Sequence, residues 1–225
     1  MEKSSRMKNV ILFCIIMLEF GERFLYYGLH SHMTGFVKYV LEGTESKSKV
    51  FTHVFGFGAY FASAVLGLIA DIFTGQYFMI TASLFNCLIG NSLLIIGSYY
   101  KNINIVKVAV IFISLGAGGI KPCLTIFGKF QSKNKYFINI FYFTINVSAG
   151  IVVSVLPKIT RYFSYTATFT VIFIVFVTVT VLFLACTPYY KINRANPELR
   201  YEIIGFIKGL FGPKKVQDRK SQNSI

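Results

Sequence analysis

The chain has 225 residues, 54% of them hydrophobic and only 14% charged, with a mean hydropathy of +0.59. An average soluble domain is about 25% charged, and here the apolar residues come in long uninterrupted blocks, so composition excludes a water-soluble domain and predicts an integral membrane protein. The formal net charge of +14 would point to nucleic acid in a soluble protein; beside these apolar blocks it reads as a charge bias of membrane-flanking loops, with no nucleic-acid partner.

Residues 1–8 form a polar N-terminal segment. The first apolar block, near Asn9–His30, carries Glu19, Glu22 and Arg23. A charge at membrane depth costs on the order of 2.5–3.5 kcal/mol on insertion scales, so these residues must pair, line a water-filled path or do work. Glu19 and Arg23 are four apart on one helix face, and Glu22 is within reach of both. From spacing alone, a static ion pair and a working site are equal readings. No acidic residue occurs between Asp71 and Glu198, which leaves Glu19 and Glu22 as the carboxylates expected inside the membrane. The block lacks a small-residue cleavage site and is expected to act as its own insertion signal.

Five further blocks are long enough to span about 30 Å of hydrocarbon: Val50–Ala70, Tyr77–Ser98, Val106–Phe127, Phe137–Leu156 and Phe163–Ala185. The fourth contains Lys121, which reads either as a working cation or as one snorkelling to an interface. The sixth is dense in β-branched residues, but its length and lack of alternation predict a helix, because lipid forces the backbone to satisfy its own hydrogen bonds. Cys14, Cys87, Cys123 and Cys186 each lie in an apolar segment outside any CxxC pair, and read as small buried residues with no disulfide framework and no metal site.

Lysines and arginines fall fourteen to one side of the predicted spans and seven to the other, which places both termini in the cytoplasm. The fold expected over residues 9–188 is therefore an all-α, six-helix transmembrane bundle. Residues 189–225 are expected to be a cytoplasmic linker. Within it, Asn196-Pro197 is a helix start, followed by apolar residues at helical spacing (Tyr201, Ile204, Ile207, Leu210, Phe211) on an interfacial amphipathic helix, then a polar tail. No nucleophile–base pair, metal set or phosphate loop is visible, so no enzyme chemistry is expected.

Four stretches carry a resemblance. Glu19-x-x-Glu22-Arg23-Phe24-x-Tyr26-Tyr27-Gly28 matches the ExxERFxYYG signature of proton-dependent oligopeptide transporters, a branch of the major facilitator superfamily. Gly67-x-x-x-Asp71-x-x-x-Gly75 resembles the loop motif between facilitator helices two and three, Gly116–Cys123 is close to the family's GTGGIKP element, and Phe141–Asn146 is similar to its FYxxIN stretch. The resemblance implies the N-terminal six-helix half of a twelve-helix fold, with Glu19, Glu22, Arg23, Lys121 and His53 in proton coupling and no cofactor beyond a proton gradient. It implies Arg23, Tyr26, Tyr27, Tyr60, Lys121 and Asn146 in peptide binding, and Gly67, Asp71 and Gly75 in a conformational loop.

The chain departs from the family pattern at Gln76 (usually Arg or Lys), His30 (often Arg), Ser63 (often Pro) and Phe130 (usually Asp). The implied function is proton-coupled symport of di- and tripeptides, with the plasma membrane as the family default. The alternatives are a non-transporting remnant or regulatory subunit, and a truncated reading of a full-length transporter. A lone bundle is expected to turn Glu19, Glu22, Arg23 and Lys121 toward lipid, and hence to need a second six-helix bundle, from a homodimer or a separate chain.

Overall fold

The computed structural model of the chain describes residues 2–132 and 135–192, the first five of them by backbone only. Six long helices run through the described residues: α1 (Glu2–Tyr39), α2 (Glu45–Ile69), α3 (Gln76–Tyr99), α4 (Ile103–Gln131), α5 (Phe137–Tyr162) and α6 (Tyr165–Ala185). Four of the predicted blocks lie wholly within one of them, Val50–Ala70 runs one residue past α2 and Phe163–Ala185 starts two residues before α6, and most helices overrun their block. α1 extends at both ends, taking up residues 2–8 and the apolar stretch after His30. Its 38 residues span roughly 57 Å at 1.5 Å per residue, well beyond the hydrocarbon thickness. Five helices are long and apolar enough to cross a membrane, whereas α1, with Glu19, Glu22 and Arg23 at its middle, falls outside that set. The predicted amphipathic helix and tail lie outside the described residues.

Local chemistry sets the ends. Thr44, Asn102 and Ser164 cap α2, α4 and α6, each accepting from a backbone N–H of the first turn. α2 runs into a π-helical turn, Ala70–Thr74, which closes when the Gly75 N–H donates to the Ala70 carbonyl at 2.7 Å. Gly75 sits at φ 81°, a conformation that a side chain would strain, so the glycine of the loop motif is a backbone requirement here.

The helices associate through small residues. With no hydrophobic drive between helices in lipid, close backbone approach supplies the packing. Gly116 on α4 lies against the Ser83 carbonyl and Cys87 of α3, and Gly118 lies against Ala59 and Ala62 of α2. α1 and α6 pack antiparallel along a seven-residue repeat: Gly21 faces Val179, Gly28 faces Ile172, and Gly35 faces the Tyr165 hydroxyl. Cys14 against Cys186 continues the repeat by one more rung, with their Sγ atoms 3.1 Å apart. The spacing is that of a left-handed helix pair. Sequence reading took these cysteines as unrelated buried residues; the pairing is visible only once α6 is laid antiparallel on α1.

Buried hydroxyls tie the remaining neighbours. Thr34 bonds Thr52 between α1 and α2, Ser98 bonds Thr166 between α3 and α6, and Thr160 bonds Thr168 between α5 and α6, each at 2.7 Å. Ser148 of α5, fully buried, donates to the Phe20 carbonyl of α1.

The α1–α6 repeat makes a direct prediction. A Cβ on Gly28 would lie 2.8 Å from Ile172 Cδ1, and one on Gly21 would overlap the Val179 side chain, whereas nothing lies within 4 Å of a Cβ on Gly150. Gly21→Val and Gly28→Val should each destabilise the bundle by about 1–3 kcal/mol, the usual cost of overpacking. Gly150→Ala should be neutral or better. Thermal unfolding in detergent distinguishes them.

Candidate functional site

Half-way along α1, the three charged residues turn into the bundle. Glu22 is fully buried, Glu19 is 1% exposed and Arg23 6% exposed. The Arg23 Nε lies 2.9 Å from Glu19 Oε1 and 2.6 Å from Glu22 Oε2, so one nitrogen of the guanidinium faces both carboxylates. These are ion-pair contacts without hydrogen-bond alignment at Nε, and Glu19 Oε2 and both Glu22 oxygens are sealed from solvent with no hydrogen-bond partner. In a low-dielectric interior such groups are costly unless something completes them.

The arrangement overturns one expectation. Glu19, Glu22 and Arg23 do not face lipid when the bundle stands alone; its own helices cover them, with α6 closing on Gly21 and α5 on Phe20. The small residue at position 21 lets α6 approach near enough to do this. Lipid exposure of this trio therefore gives no reason for a second bundle.

Lys121 of α4 joins the cluster from the opposite side. It is half-buried, and its Nζ lies 4.1 Å from the ring centroids of both Tyr26 (α1) and Tyr60 (α2). A cation between two aromatic faces is held by both ring quadrupoles. Lys121 is also within electrostatic range of Glu19, Glu22 and Arg23. Two carboxylates and two cations thus form one group, contributed by α1 and α4. Pro122 beside Lys121 packs against Gly67 of α2, whose lack of a side chain admits the proline ring.

The aromatic wall continues outward from this group. Tyr26 is buried and packs on Phe55 at 5.4 Å, edge-on to Tyr27 at 5.6 Å and to Tyr60 at 6.3 Å, and stacks on His30 at 6.0 Å. Tyr60, by contrast, is 62% exposed, so the face of the group on the α2 side is open. His53, exposed on α2, lies within electrostatic range of His30. The fold therefore brings together Glu19, Glu22, Arg23, Tyr26, Tyr60 and Lys121, with Tyr27 beside them and His53 farther along the α1–α2 face.

Asn146 is not drawn into this group. It is exposed on α5, and its amide donates to the Tyr142 carbonyl of the preceding turn. Phe55 was missed by sequence reading. It carries no chemistry of its own, and only the α1–α2 packing shows that it backs Tyr26. The double ring contact of Lys121 was missed as well, since three helices must be assembled to see it.

The loop motif forms a separate feature. The Gln76 amide donates to Asp71 Oδ1 at 2.9 Å across the π-turn. At position 76, where the family pattern usually has Arg or Lys, a neutral donor thus meets the Asp71 carboxylate, and a hydrogen bond with one charged partner contributes about 1.5–3 kcal/mol.

Comparison with known proteins agrees with this architecture. Residues 72–208 match the model of the POT family. The chain is 30% identical over 155 residues to Peptide transporter family 1 of Caenorhabditis elegans, covering 64% of this chain and 19% of that protein. It is 29% identical over 157 residues to human Solute carrier family 15 member 2, covering 64% and 22%. Among solved structures, the POT family transporter PepTSo superposes with a TM-score of 0.77 at 27% identity, over 83% of this chain and 39% of that one. A proton-dependent oligopeptide (POT) family transporter superposes at 0.72 with 26% identity, over 88% and 46%. The chain thus spans about a fifth of the curated relatives it matches. By its motifs, its helical architecture and the match over more than half its length, it belongs to the POT family.

Proposed function

We propose that this chain is the proton- and carboxylate-handling six-helix half of a peptide symporter, working with a second six-helix bundle. The observation that carries the reading is the Glu19–Glu22–Arg23–Lys121 group, which lies inside the bundle yet opens past Tyr60.

With both carboxylates ionised, the group has no net charge. Adding one proton to either glutamate leaves one cation in excess, in a setting where an unpaired charge is expensive. A peptide's C-terminal carboxylate restores the balance, and the planar fork of Arg23 suits it. Proton and peptide then bind better together than singly, which is the coupling a symporter needs. The membrane potential adds about 2.3 kcal/mol per charge per 100 mV. Tyr26, Tyr27 and Tyr60 offer flat apolar faces with hydroxyl tips to the peptide's variable side chains, and His53, exposed on the same α1–α2 face, is a further candidate contact.

The requirement for a second bundle rests on the open side of the site. Tyr60, His53, Asn146, Tyr142 and Phe143 are exposed, and transporters of this class bind substrate at the interface between repeats. The charge bias supports a reading with both termini in the cytoplasm, and the plasma membrane is the expected residence.

Uptake of a labelled dipeptide into vesicles with an inward proton gradient tests the reading, using membranes that hold the chain together with its native partners. Gradient-dependent accumulation is expected. Glu22→Gln should abolish accumulation against a gradient while leaving peptide exchange measurable, because it fixes the protonated charge state. Arg23→Lys should lower uptake about tenfold or more through loss of the fork. Absence of gradient-driven uptake, with Glu22→Gln indistinguishable from the parent chain, overturns the reading.

The ring contacts on Lys121 make a finer prediction. Tyr60→Phe keeps the ring face and should retain at least half of the uptake, whereas Tyr60→Leu removes it and should raise the apparent KM several-fold, at about 0.5–2 kcal/mol for a cation–π contact. Equal effects of the two variants would assign Tyr60 a role through its hydroxyl instead.

A further inference from the structure

The last rung of the α1–α6 repeat differs in kind from the others. Gly21, Gly28 and Gly35 meet side chains of α6, but Cys14 meets a second thiol, Cys186, with the Sγ atoms 3.1 Å apart. Both are free and buried. They are 172 residues apart in sequence and come together only because α6 runs antiparallel to α1 in this register.

The segment bearing Cys186 is held firmly in place. Cys186 caps α6, and the short 3-10 turn Thr187–Tyr189 follows. The Tyr77 hydroxyl of α3 bonds Thr187 Oγ1 at 2.8 Å, and the Tyr190 hydroxyl donates to the Phe183 carbonyl at 3.0 Å. Gln131 at the end of α4 bonds both backbone groups of Lys191, donating to its carbonyl at 2.7 Å and accepting from its N–H at 3.1 Å. The thiol of Cys186 is thus pinned from α3 and α4 while Cys14 is fixed by α1. A disulfide needs the sulfurs at about 2.05 Å, so a closure of about 1 Å separates this contact from a bond.

We propose that Cys14 and Cys186 are an oxidisable pair that a peroxide converts into a disulfide joining the adjoining ends of α1 and α6. Cys186, the less deeply buried residue of the two at 9% exposure against 4% for Cys14, is assigned as the sulfur that meets the oxidant first. Its thiolate attacks one peroxide oxygen, the O–O bond breaks, and hydroxide leaves with the thiol proton as water. The Cys14 sulfur then displaces the hydroxyl of the sulfenic acid at Cys186, the S–S bond forms, and a second water carries off the Cys14 proton. Two thiols and one hydrogen peroxide give one disulfide and two waters. Burial keeps thiolate scarce and the reaction slow, so the pair responds to sustained rather than transient peroxide. The bond ties α1 five residues, about 7.5 Å of helix, before Glu19, which couples the oxidation state to the helix that carries the buried charges.

Cys87 and Cys123 serve as internal controls, being still more deeply buried; the Cys87 Sγ approaches the Ile113 carbonyl at 3.9 Å. The test exposes the full chain in lipid vesicles to hydrogen peroxide, denatures it, labels free thiols with a maleimide and maps peptides by mass spectrometry. Labelling is expected to fall from four thiols to two, with a dithiothreitol-reversible link between the peptides holding Cys14 and Cys186. Cys14→Ser and Cys186→Ser, small replacements for side chains already in a polar contact, should each leave the remaining three thiols free of any intramolecular link. Four labelled thiols after peroxide, a link involving Cys87 or Cys123, or sulfinic acid at Cys186 with no link would each overturn the proposal.

Discussion

The structure is organised around one guanidinium held between two carboxylates inside an apolar helix. Arg23 could not cross a membrane unpaired, and Glu19 and Glu22 could not either. Together they are tolerable, and the bundle then has to keep lipid away from them. Gly21, Gly28 and Gly35 serve that need, because glycine at these positions lets α6 lie close along α1 and seal the charged stretch. Ser148 does the same from α5 by bonding the Phe20 carbonyl. The packing of α1 is in this sense a consequence of its charges.

Lys121 completes the group by a different route. It arrives from α4 on a Gly-rich stretch whose close approach to α2 and α3 leaves little freedom in its position. Its ammonium rests on two tyrosine faces and stays clear of a direct carboxylate contact. A cation held by rings is less committed than one locked in an ion pair, since the cation–π attraction is worth only about 0.5–2 kcal/mol. A carboxylate arriving from the open side could take it over at modest cost. On the proposed reading, the asymmetry between a sealed Arg23 and a loosely held Lys121 would give the site an order of engagement, with the outer cation available first and the inner one released by a proton.

How much of this was legible beforehand varies with the range of the interaction. The number and type of helices followed from the apolar blocks, because a bilayer leaves a backbone few alternatives. The Glu19–Arg23 pairing followed from four-residue spacing on one helix. Two features needed the third dimension. The direction in which the trio faces was misjudged, because it depends on α6 meeting Gly21 from 158 positions away in sequence, and a run of well-spaced glycines gives no sign of its partner. The Cys14–Cys186 contact was hidden for the same reason. Asn146 is the opposite case: its motif matched, but its amide is turned to its own helix, so the match alone did not place it in the group.

The central claim is that one proton and one carboxylate complete the same charge balance. Calorimetric titration of a dipeptide into the membrane-reconstituted chain and its partners, repeated in buffers of different ionisation enthalpy, counts the protons taken up on binding. The account predicts about one proton per peptide in the parent chain and none in Glu22→Gln. Peptide binding with no proton uptake in the parent chain would contradict it.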